Sequence, residues 1–438
     1  MTKQSSAIEL VKIPRDEDYE DYLCAYLQAG GLYVEKKIIH REVEELLELD
    51  ILTTNFQNDS AENLLIEIKS GDWGFGDIFK IRGWLTYLNY KNGCFIVQKT
   101  RPSISYFRNK SKELSIELID NSDLTKTKDV LNHLLLIQPE EAEIETIRFS
   151  FLMERKMLKE LKSLKKENLK SNKQVKCYYA LDDYLFKINS GSFFSRDPIR
   201  RINKLFESYV KYKNITAKIC HEINGGDFND EVIELGNSCY RDTFYEAKEG
   251  VLQISLYVEH VARITILKCV IEHLIDKLKG NYDNSDFINE LNYLILPKSI
   301  KEGLDLIIKD KYFHLYPRFW QYFTYVFGGF ILTDIKEKEF ELLSKKTGIP
   351  IEEIPNAFDS FNKLFPRNGG WFFKFPNSEI EWHNFFPIAF SGVGANYRKM
   401  VYTDDETYDS LSTKLTQNMT MNDLLKWNNL GYRILKNK

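Results

Sequence analysis

Along the first 120 residues the apolar positions change period from helical to alternating and back. Tyr19, Tyr22, Leu23, Tyr26 and Leu27 recur at helical spacing, so Asp16 to Gln28 is expected to be a helix, stopped by the Gly30-Gly31 pair. Leu32 to Ile39, Leu46 to Thr54 and Asn63 to Lys69 follow as three strands. After a glycine-rich loop, Gly71-Asp72-Trp73-Gly74-Phe75-Gly76, Asp77 is expected to cap a helix running to about Leu88. Gly93 to Gln98 reads as a buried strand, Ser103 to Glu113 as a helix and Leu114 to Ile119 as a last strand. Helices inserted between the later strands imply a mixed sheet covered on both faces.

Beyond about residue 122 the pattern turns helical, with Leu124 to Ile137 and Glu140 to Leu169 as the first two stretches. The expected architecture is an α/β N-terminal domain, a mixed sheet flanked by helices, followed by a large, mainly α-helical C-terminal region. Its divisions are residues 1–122, a helical linker with a basic stretch over 123–176, and a mainly helical domain over 177–438. The last part has possible subdivisions near 281–285, where Asn281 to Ser285 is loop-like, or near 356, where the chain becomes aromatic and Gly-rich through Gly369 to Phe375 and Ser391 to Gly394. That final section is expected to hold a few strands or a loop-rich cap.

The candidate chemistry lies in Glu48-Leu49-Asp50 and Glu67-Ile68-Lys69. Residues two apart on a strand share a face, so Glu67 and Lys69 point one way and Ile66 and Ile68 the other. If the strands pair as a hairpin, Asp50 can join Glu67 and Lys69. Two carboxylates and an ammonium on one rigid face can bind a hard divalent cation and prepare water for attack on phosphorus. The wet face of any half-exposed strand has the same alternation.

The order of these elements, with the residues on them, resembles the PD-(D/E)XK nuclease superfamily, in particular its restriction-endonuclease-like, Mrr-type members. Tyr19-Glu20-Asp21-Tyr22 stands where the helix acid is expected, Gly31-Leu32-Tyr33-Val34-Glu35 at the entry to the first strand, and Asp50 with Glu67-Ile68-Lys69 at the metal-binding motif. Leu49 replaces the proline that often precedes the Asp. The resemblance covers somewhat over a quarter of the chain. It implies that Asp50 and Glu67 ligate Mg²⁺ or Mn²⁺ with the Ile68 carbonyl, that Lys69 positions the attacking water, and that Glu20, or else Glu17 or Asp21, holds a metal-bound water or a second ion. Glu48 is a further ligand or an edge charge.

Composition limits where a polyanion could bind. The net charge of −4 requires any such surface to be local. Arg155 to Lys176 holds nine Lys/Arg against two Glu, so Lys159, Lys162, Lys165 and Lys166 are candidates for phosphate contacts, or the solvated face of a linker helix. Lys80 and Arg82 on the helix after Lys69 are further candidates, with a smaller cluster at Arg196, Arg200 and Arg201. Trp73 and Phe75 read as an aromatic lip or as core packing. The six Cys and seven His have no zinc spacing, and no signal peptide or membrane span is legible. The resulting expectation is a cytoplasmic, Mg²⁺- or Mn²⁺-dependent endonuclease that acts on DNA, as an anti-phage defence or restriction effector. Its C-terminal region would bind a protein partner or sense a trigger. An RNA-directed nuclease and a non-catalytic scaffold that keeps the nuclease fold are the alternatives.

Overall fold

The computed structural model describes residues 10–41, 44–57, 59–164, 202–205, 249–278, 298–307, 310–365, 380–383 and 388–402, with a few single positions between 199 and 296. The N-terminal order is α1 (Glu17–Ala29), β1 (Tyr33–Arg41), β2 (Glu45–Phe56), β3 (Ala61–Lys69), α2 (Phe75–Leu88), β4 (Gly93–Val97), α3 (Ile104–Glu113) and β5 (Ile116–Asp120). The five strands form one mixed sheet in the order β1-β2-β3-β4-β5. β1, β2 and β3 are antiparallel neighbours, whereas β3, β4 and β5 run parallel. The parallel part follows from the connections, because α2 and α3 carry the chain back across the sheet before each new strand. β4 is buried along its whole length, as its continuous apolar run requires.

The two sheet faces bury separate sets of side chains. Leu49, Leu52, Leu65, Phe95, Val97 and Leu118 pack with Ile78, Ile81 and Leu85 of α2 and Phe107 of α3. Ile51, Ile66, Ile68, Cys94 and Ile96 face the other way, into a core shared with α1 and the helical region. That region comprises α4 (Thr127–Leu131), α5 (Glu141–Leu164), α6 (Glu249–Leu278), α7 (Lys298–Ile307), α8 (Tyr316–Tyr322), α9 (Lys336–Thr347), α10 (Ile354–Leu364) and α11 (Ile388–Tyr402), with a short strand pair, Phe330–Leu332 and Ile380–Trp382.

Polar contacts fix the helices to the sheet. The Gln321 side chain donates to the Val34 carbonyl (2.7 Å) and accepts from the Val34 N–H (2.9 Å), standing in for a sixth strand at the β1 edge. Lys268, buried on α6, lies 2.9 Å from Glu35 and 2.8 Å from Glu272, and Glu272 also accepts from Asn63 of β3 (3.1 Å).

Several elements differ from the sequence expectation. Asp77 does not cap α2; Gly74 occupies the cap, and Asp77, three residues on, accepts the Gly74 N–H at 2.9 Å. Leu124 to Ile137 is not one helix but three short turns. The N–H groups of Leu136 and Ile137 leave the helix to reach the Gly30 carbonyl. Ser391 to Gly394 lies inside α11, not in a loop. A Cβ at Gly394 would collide with the Phe327 carbonyl, so this glycine serves close helix packing. Asn281 to Ser285, Gly369 to Phe375 and the segment from Lys165 to Lys176 lie outside the described residues. No helix among the described residues is long and apolar enough to cross a membrane.

Candidate active site

β2 and β3 pair through Ile51↔Ile66, and continuing that register by one residue sets Asp50 opposite Glu67. On the other side, the β1–β2 register runs through Lys36↔Ile51 and resumes at Ile38↔Leu49, passing over Lys37 and Asp50. Lys37 is the cause: its φ is 52°, in the left-handed region that a lysine seldom occupies. The twist turns neighbouring side chains, which should point to opposite faces, toward α1 together. Lys36 reaches Asp21 (3.1 Å), while Lys37 reaches Glu17 (2.6 Å) and lies 3.7 Å from Glu20. A locally strained backbone thus lies beside Asp50, and such strain persists only where surrounding contacts enforce it.

The Asp50 carboxylate accepts the Ile68 N–H at 2.7 Å. It is also within hydrogen-bonding reach of Glu67. Glu67 is 2 % exposed, and its Oε2 is buried with no donor. Burial, and then the Glu67 charge, pushes the Asp50 carboxyl up to about 7, and burial also raises Glu67. Near neutral pH the pair therefore resists carrying two full negative charges. Glu20 of α1 is likewise raised to about 7, by burial first and by the Asp50 charge second. The three acids form one electrostatic unit.

Two lysines face this unit from the α2 side. Lys80 Nζ lies 3.0 Å from Glu67 Oε1, with its amine over the Trp84 ring at 4.1 Å. Lys69 Nζ lies 3.8 Å from Asp77 Oδ1 and lowers the Glu67 pKa through its charge. Lys80, expected from the sequence to serve as a phosphate contact, therefore touches the acid pair itself. No sequence signal pointed to this, since thirteen residues and a loop separate it from Glu67.

The other expected residues have separate places. Asp21 pairs with Lys36 and, at 2.7 Å, with Arg155 of α5, and Glu17 pairs with Lys37 and Arg155, so among the α1 acids it is Glu20 that couples to Asp50. Glu48 is exposed, opposite Ile39. Arg82, two residues from Lys80 and so on nearly the opposite side of α2, donates to the Leu114 carbonyl at 3.4 Å. Trp73 is core: buried, edge-on to Phe95 and Phe107, its indole N–H donating to the Lys99 carbonyl at 2.7 Å. Arg155 is spent on Glu17, Asp18 and Asp21, which docks α5 on α1. Lys159 is exposed; the Lys162 side chain, Lys165, Lys166 and the Arg196 to Arg201 cluster's arginines lie outside the described residues. Cys24, Cys94 and Cys269 are buried.

Among the described residues no three His, Cys, Asp or Glu side chains converge tightly enough to form a complete metal cage. What Asp50 and Glu67 offer is half of one: two hard oxygen donors, one buried oxygen lacking a partner, and carboxyl pKa values raised first of all by burial, with the Glu67 charge adding to the rise at Asp50. That donor set suits Mg²⁺ or Mn²⁺, which keep several waters and take one or two carboxylates from protein. No protein-family model, no curated protein and no solved structure matches this chain.

Proposed function

We propose that this chain is a metal-dependent nuclease of the PD-(D/E)XK, restriction-endonuclease-like kind, hydrolysing phosphodiester bonds in DNA. The observation that carries the reading is the Asp50–Glu67 pair. Two carboxyls on adjacent strands are held together in a largely dry site at an energetic cost that a divalent cation would relieve. The helix, three antiparallel strands, and two helix–strand units in parallel give additional support, because this is the order of elements on which the resemblance to the superfamily rests.

Asp50 and Glu67 would hold the cation, with the Ile68 N–H fixing the Asp50 carboxylate. A bound Mg²⁺ or Mn²⁺ lowers the pKa of a coordinated water and offsets charge on the phosphate oxygens. Lys69 orients the attacking water and stabilises the charge that builds on phosphorus. Lys80 neutralises Glu67 and would be free to turn to a phosphate oxygen were Glu67 to hold the cation. Glu20 holds a water on the α1 side.

The test is cleavage of plasmid, linear and single-stranded DNA, and of RNA, with Mg²⁺, with Ca²⁺ and with EDTA. Wild type should cut in Mg²⁺, much less in Ca²⁺ and not in EDTA, and Asp50→Ala or Glu67→Ala should abolish cutting while leaving the fold intact. Cleavage that persists in EDTA, or none of either polymer in Mg²⁺ or Mn²⁺, would refute the reading.

A further inference from the structure

The most exposed aromatic side chains among the described residues belong to α2 and α3: Phe79 at 61 %, Tyr106 at 56 % and Tyr87 at 43 % exposure. Two of them join through Phe75 into one strip. Its ring centroid is 6.2 Å from Phe79 and 6.0 Å from Tyr106, and it rests on Phe107 at 4.5 Å. Lone exposed aromatics are ordinary, but a contiguous strip marks an interaction surface. At one end of the strip Phe79 adjoins Lys80, whose amine is on Glu67. The other end lies on a basic segment: between Lys99 and Lys112 the chain has five Lys/Arg and no Asp or Glu, against a net charge of −4 overall. Lys99 and Lys110 share solvent-exposed ion pairs with Asp72 (2.5 Å) and Glu113 (2.9 Å), weak contacts that a phosphate can displace, and Arg108 donates to the Leu118 carbonyl at 3.3 Å. Arg101 from that segment stacks beneath the strip, 5.2 Å from the Trp73 ring and 5.8 Å from Phe107.

We infer that the Phe79–Phe75–Tyr106 strip is a stacking platform for unpaired DNA bases next to the cleavage site, so that the substrate is single-stranded DNA or a duplex with a locally opened strand. This rests on the nuclease reading and deepens it. Flat exposed rings offer a base its stacking partner, which a closed duplex cannot use because its bases already stack on one another. The cations of the Lys99 to Lys112 segment attract the phosphates that link successive bases. An acidic or apolar protein partner would leave that charge or those rings unused, whereas a single strand engages both.

Binding of a short fluorescein-labelled oligothymidylate, and of the same strand annealed to oligoadenylate, to the full chain in EDTA tests this by anisotropy without any cleavage. Wild type should bind the single strand more tightly than the duplex. Phe79→Ala and Tyr106→Ala should each weaken single-strand binding by about 5- to 150-fold, the loss expected for about one stacked base. Duplex binding should not change, and Phe79→Trp should keep the single-strand affinity. Equal affinities for both probes, or alanine variants that bind the single strand like wild type, would overturn the platform. So would alanine variants that alter only the sedimentation of the protein, which would make the strip a contact between copies. The two readings fail separately. Mg²⁺-dependent cutting with unchanged binding by the alanine variants removes the platform alone. Aromatic-dependent single-strand binding by a chain that cuts nothing removes the nuclease alone.

Discussion

Asp50→Asn should stabilise the metal-free protein, and only above a particular pH. The asparagine Oδ1 can still accept the Ile68 N–H, and its Nδ2 can donate to the Glu67 oxygen that has no donor. The substitution therefore keeps the geometry and deletes one of two facing charges. The wild-type Asp50 carboxyl sits at about 7 in the folded protein against an ordinary value of 3.8. A gap of about 3 pH units, at about 1.4 kcal/mol each, amounts to about 4 kcal/mol of destabilisation when the group must ionise in the folded state. Asp50 is half-buried, so solvent screening lowers the expected gain to about 2–4 kcal/mol. The sign follows from the raised value. Below about pH 4 the carboxyl is protonated in both folded and unfolded chains and the wild type suffers no penalty. Between about 4 and 7 the unfolded chain ionises first and wild-type stability falls as pH rises; above about 7 the penalty is complete. Urea denaturation in EDTA at low salt, followed by tryptophan fluorescence, should show the variant's midpoint well above wild type at pH 8 and equal to it near pH 4. Mg²⁺ should then stabilise wild type at pH 8 and leave the variant almost unmoved. A variant that is less stable at every pH, or whose advantage does not depend on pH, would show that burial and the Glu67 charge do not hold the Asp50 carboxyl above its ordinary value.

Lys69→Ala should lower the maximal cleavage rate by about 10²–10³-fold, the usual effect of losing one group that stabilises transition-state charge, with little change in DNA binding. Lys80→Gln removes the cation that lowers both carboxyl pKa values, so the acidic limb of the pH–rate profile should move to higher pH; an unmoved limb would separate Lys80 from the acid pair. Gln321→Ala should cost about 2–4 kcal/mol in denaturation experiments, because it strands the Val34 N–H and carbonyl at a buried sheet edge. Gly31→Ala should destabilise still more, since φ is +97° there and the new Cβ would lie 2.5 Å from the buried Arg318 guanidinium.

The sheet was legible because each strand carries its own period. Alternation over Leu64 to Lys69 assigns Ile66 and Ile68 to one core and Glu67 to the other face, as observed, with no knowledge of any partner. The same local logic located the acid pair. It failed where a residue's role depends on what another element brings to it. Lys80 and Arg82 are indistinguishable as helix cations, yet a rotation of roughly 200° on α2 sends one to Glu67 and the other to the Leu114 carbonyl. Arg155 opens the densest basic stretch in the chain, and its charge looked available for phosphate. The docking of α5 on α1 consumes it instead, on three carboxylates 134 to 138 positions earlier. Among the described residues, the less conspicuous Lys99 to Lys112 segment is a basic surface near the site whose ion pairs, Lys99 with Asp72 and Lys110 with Glu113, are exposed rather than buried in a helix contact. Its five cations are diluted by Ser and aromatic residues that only the fold aligns with α2. The kink at Lys37 also has no sequence signature, because a lysine with positive φ looks like any strand lysine until α1 supplies the acids that hold it. The same contacts connect the site to the helical region. Arg155 grips the first turns of α1 while Glu20, on the same turns, reaches toward Asp50. The helical region therefore positions one member of the acid cluster, and loosening α5 should disturb Glu20 before it disturbs Asp50 or Glu67, which the sheet itself holds.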